Sequence, residues 1–139
     1  GAIAVIAIMM TSTGYAQCKG WAKRKILPTI TDNGYKFSGQ MSQAVLKEGD
    51  KADIAMTFNA GKTYRIVVGF EEIIRDSGSF KIMDTDSTVL YDSKGKEENY
   101  FDFNVESTQE LILEIELEST DNTHGLMHHG CVAIIQGFK

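Results

Sequence analysis

The sequence predicts an all-β fold, a single-domain antiparallel β-sandwich of about eight strands. Three observations carry that reading. From residue 34 onward, apolar and polar side chains alternate with a period of two, the pattern of a strand with one face in a core and the other in water. Clusters of Asp, Asn, Gly and Ser interrupt the alternation at short, fairly even intervals, which is turn chemistry. The chain has 139 residues, room for one domain and not two.

The elements follow in order. Residues 1–16 read as a signal-peptide-like segment. Gly1 to Met10 carries no charge, and Thr11 to Ala16 turns polar and ends with Gly14 and Ala16 at the small-residue positions of a cleavage region. The apolar run is about half the roughly 20 residues that a membrane span needs, so no integral span is expected. If retained, the run has to be covered by this subunit or a neighbour, which is the basis for expecting self-assembly. Gln17 rather than a small residue precedes Cys18, which argues against a lipid-modified cysteine.

Residues 17–33 form a basic lead-in with Lys19, Lys23, Arg24 and Lys25. One or two helical turns are expected here, stopped before Pro28. The segment reads either as a contact for an anionic surface anchored by Trp21, or more simply as a solvated stretch that packs Trp21 and Leu27 on the body.

Residues 34–139 form the sandwich. Tyr35 to Leu46 places Tyr35, Phe37, Gly39 and Met41 on one side, with a bulge or bend at Gly39. Asp53 to Phe58 turns Ile54, Met56 and Phe58 inward. Thr63 to Phe70 is the strongest strand, with Tyr64, Ile66 and Val68 on one face. Glu71 to Gly78 reads as an acidic loop or short helix. Ser79 to Asp84 and Thr88 to Tyr91 form a hairpin around residues 85–87. Tyr100 to Val105 turns Phe101, Phe103 and Val105 inward, and Glu110 to Glu118 alternates Leu111, Leu113, Ile115 and Leu117 on the inner face with Ile112, Glu114, Glu116 and Glu118 on the outer. A polar loop then precedes a last strand, Cys131 to Phe138.

The stretch Gly49 to Asp92, a turn followed by ADIAMTF, KTYRIVVGF and SFKIMDTDSTVLYDS, resembles the pre-peptidase C-terminal and carbohydrate-binding jelly-roll modules of exported bacterial, Bacteroidetes-type proteins. The resemblance implies a jelly-roll strand order and a binding module. The Asp-Xaa-Tyr hairpin signature of those modules is not present in clear form, and no functional residue is carried over.

Fourteen basic against nineteen acidic side chains give a net charge of −5, the opposite of the basic face of a nucleic-acid binder. Cys18 and Cys131 are the two cysteines. In an exported chain an even count predicts a disulfide and a periplasmic or extracellular location.

Two clusters could hold a metal ion. His124, His128 and His129 share one loop and could bind zinc, copper or nickel with Asp121 or Met127, or they could simply cap and pack locally. Asp84, Asp86 and Asp92 flank one hairpin and are calcium candidates, with Glu71, Glu72 and Asp76 in the loop before it; calcium needs about six to eight oxygens, and hairpin aspartates ordinarily serve the turn itself. Trp21, Tyr35, Tyr91 and Tyr100 are the candidates for a sugar-binding platform. No GxSxG, P-loop, Rossmann glycine run or HExxH occurs, so neither enzymatic activity nor an organic cofactor is expected. The expected function is an exported, non-enzymatic sandwich that binds or assembles. Its partner would be itself, as a homo-oligomer or filament, or a surface glycan or protein. The alternatives are a carbohydrate or cell-surface binding module and a metal-binding protein built on the histidine loop.

Overall fold

The computed structural model describes residues 18–119 and 128–139. The signal-like segment and His124 lie outside them. Eight strands form two four-stranded antiparallel sheets. Sheet A runs β1 (Lys36–Lys47), β8 (His129–Phe138), β3 (Lys62–Phe70), β6 (Tyr100–Val105); sheet B runs β2 (Lys51–Phe58), β7 (Gln109–Leu117), β4 (Gly78–Met83), β5 (Val89–Asp92). β1 lies beside β8, β2 beside β7, β3 beside β6 and β4 beside β5. The chain is thus one long antiparallel ribbon whose two arms wrap over two sheets, a jelly roll.

The period-two pattern places the core where it was expected. Phe58, Ile66, Val68, Phe80, Ile82, Leu111, Leu113, Ile115 and Leu117 are buried between the sheets, each stabilising the fold by about 1.5–3 kcal/mol relative to exposure. Six rings cross this core in succession: Phe58, Tyr64, Phe103, Phe101, Tyr91 and Phe80, with neighbouring centroids 4.9–6.0 Å apart.

The lead-in is part of the fold. It forms two short helices, α1 (residues 18–25) and α2 (Pro28–Thr31), that lie on the outer face of sheet A. Ala22, Ile26 and Ile30 pack there against Val67, Ala133 and Ile135 in a second core. β3 and β8 are therefore buried on both faces, which explains why their sequences are nearly continuous apolar runs. As expected, the first helix stops before Pro28, but Pro28 begins a second one. It opens α2, where its missing N–H costs no hydrogen bond and its fixed φ suits a first turn.

Two glycines let the helices sit this close. A Cβ on Gly69 would overlap the Ile26 side chain, and one on Gly137 would come within 2.5 Å of Ile30 Cγ2. Gly39 has φ +87° at the shift in register between Phe37 and Met41, the bulge expected there. Cys18, the first residue of α1, is bonded to Cys131 on β8 with Cα atoms 5.5 Å apart, tying the helix to the sheet it covers.

Candidate functional site

A cleft of about 710 Å³ opens at one end of the sandwich, a volume suited to a ligand or a protruding loop. Its walls come from four places, the start of β4 supplying Gly78 and Phe80. Trp21 and Lys25 project from α1. The end of β3 supplies Val68 and Phe70, continuing into Glu71, Glu72 and Arg75. The β5–β6 connection supplies Ser93, Lys96, Glu97, Glu98 and Asn99. The apolar part is Ile26, Val68, Phe70 and Phe80, all buried, and the rim mixes three cationic with four carboxylate side chains.

Local bonds hold these walls in place. The Val68 amide donates to the Asn99 carbonyl at 2.9 Å, continuing the β3–β6 ladder past its last register pair. The Ser93 amide donates to the Phe80 carbonyl at 2.9 Å, and Ser93 Oγ accepts from the Phe80 amide at 2.8 Å. The Tyr91 hydroxyl donates to the Glu98 carbonyl at 2.9 Å, while Lys96 Nζ sits 4.4 Å above the Tyr91 ring. Burial, then the nearby Glu98 carboxylate, pushes the Tyr91 phenol above its usual range. Glu71 Oε1 accepts from the Cys131 amide at 2.8 Å, so one rim carboxylate is tied to the residue that carries the disulfide.

The aromatic candidates separate. Tyr35 and Tyr100 flank the Arg65 guanidinium at 4.8 and 4.0 Å from their ring centroids, and Tyr91 belongs to the core row. Trp21 alone of the four lines the cleft.

Among the described metal candidates, His128, Asp84 and Asp92 make local side-chain contacts. His128 Nδ1 lies 3.2 Å from Glu48 Oε1, and the Glu48 amide donates to the His128 carbonyl at 3.1 Å; the Glu48 side chain is buried beneath the half-exposed imidazole. His129 opens β8 opposite Lys47. His124, Asp121 and Met127 lie outside the described residues. Asp84 Oδ1 accepts from the amides of Asp86 and Thr88, and Asp92 Oδ1 from that of Lys94, which is turn chemistry. Among the described residues no three His, Cys, Asp or Glu side chains gather as a metal-holding group.

Sequence reasoning missed Arg65, Asp102 and Glu48. A cation inside the apolar run TYRIVVGF was the available signal for Arg65, because a charge in a strand buried on both faces needs a partner.

No family model and no curated protein matches the chain. Among solved structures, the fold is similar to that of Aeromonas hydrophila PliG, a periplasmic lysozyme inhibitor of g-type lysozyme. The TM-score is 0.52 at 7% sequence identity, over 77% of this chain and 90% of that one. The chain shares that sandwich fold. Among the described residues no helix is long and apolar enough to cross a membrane.

Proposed function

We propose that this is an exported, non-enzymatic binding domain whose ligand is another protein, received at the cleft beside Trp21. The observation that carries the reading is the composition of that cleft. A buried aromatic and aliphatic lining inside a rim of both charge signs matches a folded protein's loop, which brings an apolar tip and mixed charges together, better than a small ligand of one charge. Two further facts support it. The fold is that of a periplasmic inhibitor of g-type lysozyme, and the Cys18–Cys131 bond suits an oxidising compartment outside the cytoplasm.

A second reading, a carbohydrate-binding module, is favoured by one specific observation: Trp21 lines the same cleft as Asn99, Glu97 and Glu98, so one cavity offers an indole and polar groups able to bond sugar hydroxyls.

Trp21 is the chain's one tryptophan. Incorporating fluorotryptophan therefore yields a single fluorine NMR resonance that reports on the cleft. Titration with a panel of secreted glycoside hydrolases, a g-type lysozyme among them, is expected to shift that resonance saturably with at least one protein. A shift with oligosaccharides and none with any protein would replace the first reading by the second.

A further inference from the structure

We infer that copies of this chain associate head to tail, the basic face of α1 on one copy docking on the outer face of sheet B of the next. The two outer faces of the sandwich are unlike. That of sheet A is covered by the helices, whose exposed side carries Lys19, Lys23 and Arg24. That of sheet B has no layer over it among the described residues, and the strand register sorts its residues into rows. One row runs Ala55, Ile112, Met83, Val89 across β2, β7, β4 and β5; Ala55 is exposed, Val89 is 48% exposed, and the other two are half-buried. The next row runs Asp53, Glu114, Lys81, Asp92.

Asp53 and Glu114 stand directly opposite each other on adjacent strands. Like charges in that position destabilise a sheet, and an approaching cation relieves the repulsion. Glu110 lies on the same face. On this face Lys81 stands opposite Glu114 and Asp92, and Lys51 lies 3.9 Å from Glu116, so its two lysines are outnumbered by Asp53, Asp92, Glu110, Glu114 and Glu116. A cationic helix face on one side of the molecule and an acidic sheet face with an apolar row on the other are complementary in charge, and a second copy supplies both. Because the contact joins two different surfaces, it repeats without closing unless the rotation between copies makes a ring.

Sedimentation velocity tests this without reference to the cleft. The wild-type chain is expected to form concentration-dependent oligomers at about 20 mM salt and to fall to monomer by about 0.5 M, since surface charges are screened within a few ångströms there. The Lys19→Glu/Lys23→Glu/Arg24→Glu variant and the Asp53→Lys/Glu110→Lys/Glu114→Lys variant are each expected to be monomeric. An equimolar mixture of the two should associate again, because each restores the face the other lacks, and that recovery also shows that both are folded. Monomer at low salt, association strengthened by salt, or oligomers unchanged in either variant would overturn the inference. So would binding of polylysine to a wild-type chain that does not self-associate, which would assign the face to a foreign cationic partner. Recorded on the Asp53→Lys/Glu110→Lys/Glu114→Lys variant, which lacks the docking face for α1, the fluorine resonance of Trp21 reads the cleft without self-association, so failure of one proposal leaves the other standing.

Discussion

Arg65 and Asp102 meet side by side across β3 and β6, Nε to Oδ1 at 2.7 Å and Nη2 to Oδ2 at 2.8 Å. The remaining nitrogen, Nη1, donates to the Thr29 carbonyl of α2 at 2.9 Å, and the guanidinium plane lies between Tyr35 and Tyr100. One buried cation thus joins the helical layer to two neighbouring strands of sheet A.

Asp102→Ala leaves the buried guanidinium without its carboxylate. Asp102 itself is partly solvated, with 37% of its side chain exposed, so the expected loss is about 1.5–3 kcal/mol, the range for a hydrogen bond to a charged group, rather than the larger cost of a fully buried pair. Arg65→Met/Asp102→Leu removes both charges together and should be milder than Asp102→Ala alone. Urea unfolding of the variants checks both values.

Gly69→Ala forces a methyl into the Ile26 side chain. Overpacking of this kind costs about 1–3 kcal/mol. Ile26→Ala in the same chain makes room, so the double variant should lose less than the two single losses added together. A double-mutant cycle measures that coupling.

Cys18→Ser/Cys131→Ser opens a loop with a sequence separation of 113. The chain-entropy model gives about 4–5 kcal/mol for so long a loop, and measured losses usually fall nearer 2–4. The second core still holds Ala22, Ile26 and Ile30, so the variant is expected to fold, with a lower denaturation midpoint and a looser α1. Hydrogen exchange at the amides of residues 19–25 reports the loosening. Full protection there would show that packing alone holds the helix.

Burial, then the Asp102 carboxylate, pushes the Tyr35 phenol up, and Tyr91 is raised mainly by burial. Both are held protonated longer in the fold than in the unfolded chain, where a tyrosine titrates near about 10. Their contribution to stability is therefore intact below about pH 10 and is lost as pH rises through the higher native values. The unfolding free energy should decline in that alkaline window, and Tyr35→Phe should flatten the decline. An unchanged slope in that variant would count against the raised phenol.

The strand layout was legible in the sequence because a half-buried strand writes its own period. Ile54, Met56 and Phe58, or Leu111 through Leu117, name their inner face without knowledge of any partner. The hairpin at residues 85–87, the Gly39 bulge and the pairing of the two cysteines were readable for similar reasons, since turns, positive φ and export chemistry restrict residue type locally. The cleft was hidden. Trp21, Arg75 and Glu98 are far apart along the chain, and their meeting depends on where α1 lies over sheet A.

Sequence alone determined which residues form strands, which side of most strands is apolar, and the charge imbalance that makes the molecule acidic, because each is a property of neighbours along the chain. Tertiary structure decided that the basic lead-in is a second layer, that Gly69 and Gly137 are seats for isoleucines, that Arg65 is buried beside Asp102, and that Lys19, Lys23 and Arg24 lie on the face opposite Asp53 and Glu114. These are contacts between segments distant in sequence, and no local period or propensity records which surfaces the winding of the ribbon brings together.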